Sequence, residues 1–301
     1  MILSRSVFAF VLCIFSVGGV LSQQKSQSWM FVYDPLIYNG AYAGVNDEVS
    51  CAMHLNKQWV NLEGSPLTFV LAGSTLWSNM NLGVGASFSY QSMGINERKE
   101  LESELAYRIR FSERRVLSMS VGGNYLWSCY NDSELANSEG DAVMEDLPEQ
   151  NSLFSGQVAF WYESLSWNVA ISAKGLRNKA HSEEFGSILV PHGFLSVSKS
   201  FFCAKNYVLK WQSIVMGAEN APLSFLLEPN LDYDGRWNFG LLYEIDHYVG
   251  ALFKVFATEH FYVSGAYSYA LNKLAKADAS SSFELMLGFR LAKAVEKSVW
   301  D

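Results

Sequence analysis

Charge is scarce in this sequence. Asp, Glu, Lys and Arg make up only 17% of 301 residues, against about a quarter in an ordinary soluble domain. Long apolar runs are missing as well. After residue 22 no stretch of eighteen apolar residues occurs, so no membrane-spanning helix is available. Past the leader the cysteines number three, Cys51, Cys129 and Cys203, widely spaced and without any C-x-x-C pair. A disulfide framework and a zinc site are both disfavoured, and small apolar strand residues are the simpler reading. Basic excess is absent too. The net charge is −8, which leaves nothing to neutralise phosphates and argues against a nucleic-acid partner.

Catalytic vocabulary is equally thin. The chain has no G-x-S-x-G elbow, no H-E-x-x-H and no phosphate loop. Gly83-Val84-Gly85 is a fragment of a dinucleotide fingerprint without its third glycine or following helix, and reads better as small residues on the lumen face of a strand. The five histidines, His54, His181, His192, His247 and His260, have no ligand spacing. No catalytic residue, cofactor or metal is therefore expected, and the chain is not read as an enzyme.

What is present is aromatic and apolar: 15% Phe, Trp and Tyr, and half the residues apolar, yet mean hydropathy is barely above zero. Hydrophobicity diluted evenly in this way fits strands that show every second residue to lipid. The first 22 residues stand apart. Arg5 precedes an apolar core from Val7 to Val17, and Val20-Leu21-Ser22 offers small or modest residues before a cut at Gln23. That predicts a secretory signal peptide over 1–22.

From residue 48 the chain repeats one element, about ten residues of period-two alternation followed by a turn signal. In Ser282 to Leu291, Phe283, Leu285, Leu287, Phe289 and Leu291 share one face, opposed by Ser282, Glu284, Met286, Gly288 and Arg290. Fourteen such stretches are predicted: 48–58, 65–75, 81–91, 99–111, 116–129, 152–162, 165–174, 191–200, 206–216, 222–233, 235–245, 248–257, 260–270 and 281–291. Their length suits a tilted bilayer crossing, and their even number returns both ends of the barrel to one side.

Loop lengths sort by parity. Every second connection is tight, whereas the other set holds 130–151, 175–190 and 271–280. Short periplasmic turns and long external loops are the asymmetry of an outer-membrane barrel. Glu102, Glu104, Arg108 and Arg110 share a face opposite Leu101, Leu105, Tyr107, Ile109 and Phe111. A charge facing lipid near mid-membrane costs about 2–4 kcal/mol, so the charged face is the lumen. Trp127, Trp161, Trp167, Trp211, Trp237, Tyr243 and Tyr269 lie near strand ends, where interfacial aromatic girdles form. The predicted fold is thus an all-β, antiparallel up-and-down transmembrane barrel of about fourteen strands over 48–301, multi-pass in a bacterial outer membrane, with membrane lipid as its surroundings.

Two segments stand out. Between Asn131 and Asn151, Asp132, Glu134, Glu139, Asp141, Glu145, Asp146 and Glu149 occur without any Lys or Arg. Without an EF-hand ligand pattern, a solvated external loop is the plainer reading, with docking of a basic partner surface as the functional alternative. Residues 23–47 do not alternate and carry Trp29, Phe31 and Tyr33 in a turn-rich stretch, too apolar for a free tail. This segment is expected to pack inside the barrel or against its periplasmic mouth.

The run Tyr33-Asp34-Pro35-Leu36-Ile37-Tyr38-Asn39-Gly40-Ala41-Tyr42-Ala43-Gly44 resembles the opening of the PorP/SprF family of Bacteroidota outer-membrane proteins, carried by Pro35, Asn39, Ala41 and Gly44. Lys57-Gln58-Trp59-Val60-Asn61-Leu62-Glu63-Gly64-Ser65-Pro66 is similar to that family's second signature, carried by Gln58, Trp59, Gly64 and Pro66. Asp34 stands where the family usually has Asn, and Gly40 where Pro is common. The resemblance implies a non-enzymatic component of the type IX secretion and gliding machinery. Such a barrel would serve secretion or cell-surface anchoring through the C-terminal domain of a secreted or surface protein, or through periplasmic ring components. A transport channel for a small or hydrophobic solute is the competing expectation.

Overall fold

The computed structural model describes residues 28–45, 47–112, 114–130, 150–176, 190–218, 221–272 and 280–292. The predicted signal peptide 1–22, residues 23–27 and the acidic positions Asp132, Glu134, Glu139, Asp141, Glu145, Asp146 and Glu149 lie outside them. The strands are β1 (Glu48–Lys57), β2 (Leu67–Trp77), β3 (Leu82–Met93), β4 (Asn96–Ser112), β5 (Arg115–Tyr130), β6 (Gln150–Glu163), β7 (Trp167–Leu176), β8 (His192–Ala204), β9 (Tyr207–Ala218), β10 (Ser224–Tyr233), β11 (Trp237–Glu244), β12 (Tyr248–Phe256), β13 (Phe261–Ala270) and β14 (Ser281–Ala292). Each pairs antiparallel with its sequence neighbours, and β1 closes on β14 with Glu48 opposite Ala292 and Lys57 opposite Phe283. Closure leaves the wall without an open sheet edge, which is what allows a sheet to sit in hydrocarbon.

The fold is the one alternation and loop parity predict, strand for strand, with ends displaced by a few residues. The largest displacement is at the end of β8, which runs to Ala204 rather than 200; β4 begins at Asn96 rather than 99. Asn96, Glu97 and Arg98, ahead of the predicted start, are strand as well: Glu100 turns into the lumen, and a two-residue turn at 94–95 joins β3 to β4. One rim carries only the short connections 78–81, 113–114, 164–166, 205–206, 234–236 and 257–260. We call this the turn rim; it is the periplasmic one by the loop rule. The opposite, loop rim carries 58–66, 131–149, 177–191 and 271–280.

The outer surface is apolar. On β14, Phe283, Leu285, Leu287 and Leu291 are exposed, whereas Ser282, Glu284 and Met286 are buried. On β4, Leu101, Leu105, Tyr107 and Phe111 face out while Glu102, Glu104 and Arg108 face in. Trp127, Trp167, Trp211, Trp237, Tyr243 and Tyr269 all face outward. Trp161 does not. It shares the inward face of β6 with Ser155, Gln157 and Ala159, is only 4% exposed, and packs edge-on against Tyr42 at 4.9 Å. The girdle reading fails there because residue parity, not nearness to a strand end, decides the face.

The hydrophobic core lies inside the barrel rather than between layers. Its centre is the segment ahead of β1: Trp29, Met30, Phe31, Tyr38 and Ala41 are fully or almost fully buried against Phe194, Ile214, Leu226, Leu242, Leu252 and Met286 of the wall. Complete burial of each large side chain contributes about 1.5–3 kcal/mol.

Candidate functional site: the segment that fills the lumen

Residues 28–47 descend from the loop side, where Ser28 and Trp29 meet Glu284, to the turn rim, where Asp47 enters β1. Two short 3-10 turns shape the path. Asp34 caps the first, its Oδ1 accepting from Leu36 N–H at 3.2 Å, with Pro35 at the first position. Asn39 caps the second, its Oδ1 accepting from Ala41 N–H at 3.0 Å. Short polar side chains and a proline are what such turns need, since neither turn is long enough to satisfy its own amides.

The wall then holds this segment by its backbone. Asn39 Nδ2 donates to the carbonyls of Phe160 on β6 and Ile171 on β7, both at 3.1 Å. Ser172 donates to the Tyr38 carbonyl at 2.5 Å. Lys174 Nζ donates to the Ile37 carbonyl at 2.9 Å and to Glu102 at 2.7 Å. Arg108 donates to the carbonyls of Gly44 and Val45 and to Asp47, and Arg110 also holds Asp47. Burial alone would raise the Asp47 carboxyl, but the bonds and charges of Arg110 and Arg108 hold it below its ordinary value. At the loop end Glu284 accepts from Ser28 at 2.6 Å and from Trp29 N–H at 2.7 Å. His54, 2% exposed, bridges Asp34 at 2.9 Å and Glu284 at 3.7 Å.

The second sequence motif is joined to the start of the lumen segment, ahead of the first motif, through one aromatic chain. Trp59 Nε1 donates to the Tyr248 hydroxyl at 3.1 Å, and the Tyr248 ring packs on Trp29 at 4.9 Å. The 58–66 loop is pinned to the wall: Trp59 N–H donates to Ser282 Oγ, and Val60 N–H to the Ser281 carbonyl. Gln58 N–H donates to the Pro66 carbonyl, and the Gly64 carbonyl accepts from Gly94 N–H. Pro35, Asn39, Ala41 and Gly44 therefore lie within the lumen segment, and Gln58, Trp59, Gly64 and Pro66 in the loop above its outer end.

Sequence reading did not single out Lys174, Ser172 or His54 as holding groups. Their partners sit in a segment distant in the chain, and nothing at their own positions distinguishes them from ordinary rim or core residues. Gly83 and Gly85 do face the lumen, where both lie against Ala43. The three cysteines past the leader are free thiols. Two cavities remain beside the segment. One lies on its loop side next to His54, Glu100, Glu102 and Glu284, and one on its turn side next to Tyr33, Lys254, Tyr262 and Arg290.

Residues 20–289 match the family described as type IX secretion system membrane protein PorP/SprF. No curated protein matches. Among solved structures, the CymD monoaromatic hydrocarbon channel aligns with TM-score 0.48 and 9% identity, over 90% of this chain and 94% of that one. The Acinetobacter baumannii outer membrane protein Omp33 aligns with TM-score 0.45 and 11% identity, over 81% and 97%. The KdgM porin aligns with TM-score 0.37 and 9% identity, over 80% and 98%. With nearly its whole length matched by one family, the chain belongs to the PorP/SprF family and is an outer-membrane β-barrel associated with type IX secretion.

Proposed function

We propose that this PorP/SprF protein is a closed scaffold that receives a protein partner at its rims during secretion or cell-surface anchoring, and that it moves no solute through its lumen. One observation carries the reading. The lumen is filled by residues 28–47, and side chains from β1, β4, β7 and β14 hold that segment by its backbone and its carboxylates. An aqueous path would require breaking many of these bonds at once, whereas partner recognition at a rim leaves them intact.

The partner classes are the C-terminal domain of a secreted or surface protein and the periplasmic components of the secretion machinery, the latter meeting the turn rim. The acidic stretch 132–149 is the candidate contact for a basic surface on the loop side. The two residual cavities are what favours the competing reading, a channel for a small or hydrophobic solute.

Deleting the gene decides between them. The expected result is loss of one secreted or surface protein from the culture supernatant and cell-surface proteomes, with uptake of nutrients unchanged. A chain lacking 132–149 should still reach the outer membrane but lose that protein in a pull-down. A deletion strain that displays and secretes every protein normally, yet fails to grow on one solute, overturns the scaffold in favour of the channel.

A further inference from the structure

Most cations held inside this barrel have an obvious oxygen. Lys174 has Glu102 and the Ile37 carbonyl, and Arg108 has Asp47 and two carbonyls. Lys254 differs. It occupies an inward position of β12, next along the strand face from buried Leu252, and lines the turn-side cavity with Arg290. Among the described residues its ammonium meets no hydrogen-bond acceptor and no ion-pair partner. Its neighbours are rings: Tyr262 with its centroid at 4.0 Å, Phe256 at 5.2 Å and Tyr33 at 5.6 Å. Ring faces offset only part of what an ammonium gives up on leaving water.

The surrounding charges sharpen the point. Arg290 lies over the Phe256 ring at 4.0 Å, and both it and Lys210 of β9 are near enough to repel Lys254. The carboxylates that line the cavity are Asp34 and Glu48. Asp34 is committed to His54 and the Leu36 amide. Glu48 and Arg290 have partners of their own. The rings are fixed in place: the Tyr33 hydroxyl donates to Asn238 at 2.7 Å, and the Tyr262 ring lies across Gly288, where any Cβ would overlap it. The cavity is therefore a preformed cationic and aromatic pocket, lined by Tyr33, Tyr262, Lys254 and Arg290.

We infer that the Lys254–Arg290 pocket at the turn rim binds a carboxylate attached to an apolar or aromatic group, either a small organic acid or the terminal residue of a peptide. The carboxylate supplies the acceptor Lys254 lacks, as a charge-assisted bond, and the apolar part lies against Tyr33, Leu36 and Tyr262. This site goes beyond the scaffold role and is read out on purified protein, so it stands or fails separately from it.

Calorimetric titration of the full mature chain, folded in detergent, tests it with N-acetylphenylalanine and with its amide, which lacks the charge. The acid should bind saturably and the amide should not. Lys254→Gln should weaken the acid about tenfold or more, because a charged hydrogen bond is lost. If that variant does not show the fast-migrating unheated band of a closed barrel, the acid–amide pair on the wild-type chain still decides. A free-acid tripeptide, N-acetyl-Gly-Gly-Phe, distinguishes the sources. Binding of the tripeptide without the single residue assigns the pocket to peptide termini, and binding of both assigns it to small acids as well. No saturable binding of either acid, equal binding of the amide, an unchanged affinity in a folded Lys254→Gln chain, or binding of inorganic phosphate where neither acid binds would each overturn the inference.

Discussion

The two sides of the lumen do different jobs. From β8 to β13 the buried inward positions carry the bulk of Phe194, Ile214, Leu226, Leu242 and Leu252, which meets the aromatic side chains of the internal segment, beside buried Gln212, Glu228, Asn230 and Glu244. From β1 to β7 they carry His54, Glu102, Glu104, Arg108, Ser172 and Lys174, most of which reach that segment's turns or backbone. Apolar contact is non-directional, so the first wall supplies burial without fixing a register. Charge-assisted bonds to the carbonyls of Ile37, Gly44 and Val45 fix the register, because an ammonium or guanidinium one residue out of place would be buried unpaired. A wall with more bulk set against one with more holding groups is what turns this segment into a defined plug.

The harshest way to break this comparison is to remove what both walls face. Excision of residues 28–45, with the rest of the chain unchanged, should convert a barrel with little conductance in planar bilayers into a steadily open pore. The unheated gel band reports whether the barrel still closes. An unchanged trace from a closed barrel would mean that the walls meet each other without the segment, and the plug picture would be lost.

Single residues then set the walls against each other. Lys174→Met takes the opposite charge from buried Glu102, which keeps only neutral donors such as Asn124 and Ser87, and the donor from the Ile37 carbonyl, and should lower unfolding stability by about 3–5 kcal/mol in a denaturant titration. Adding Glu102→Gln should return a large part of that, since it removes the uncompensated charge. Leu242→Ala, at a fully buried position on the other wall, should cost about 2–5 kcal/mol by leaving a cavity, and no second substitution of a charge should restore it. If Glu102→Gln fails to rescue Lys174→Met, the charged wall is acting by bulk, like its neighbour, and not by pairing.

The walls themselves were largely legible in the sequence; what they hold was less so. Period-two alternation fixes which residues face inward, and loop parity fixes strand number and direction, because both follow from local geometry and from the bilayer. The non-alternating stretch around Trp29 and Phe31 signals burial through its composition alone. Its contacts with His54, Lys174 and Arg108 span tens of residues of chain, and no local pattern distinguishes a lysine that caps a carbonyl from one that points to water. Trp161 was recoverable: its parity with Gln157 and Ala159 puts it inside. For Gly40 the sequence shows a departure from its family and no more, whereas its surroundings make a definite statement about how soft the charged wall is.

That softness is the smallest effect and the most discriminating. A Cβ at Gly40 would fall 1.2 Å from Oε2 of Glu104, yet that atom is the far end of a side chain with rotatable bonds, held there by a long bond from Ser120 at 3.4 Å. A Cβ at Gly83 would fall 2.0 Å from the Ala43 carbonyl oxygen and 2.8 Å from its carbon, atoms of the segment's own backbone. Gly40 has no positive φ to be strained by a side chain. Gly40→Ala should therefore be absorbed by a turn of the Glu104 side chain and cost within about 1 kcal/mol, whereas Gly83→Ala has to push the segment off β3 and should cost about 1–3 kcal/mol. The same denaturant titration compares them. Gly83→Ala should also let N–H groups of residues 41–45 exchange faster with solvent, since the clash lies against their backbone. Equal costs at the two positions would mean that Glu104 is as rigidly held as a main-chain carbonyl, and that the charged wall clamps the segment through fixed side chains as well as through hydrogen bonds.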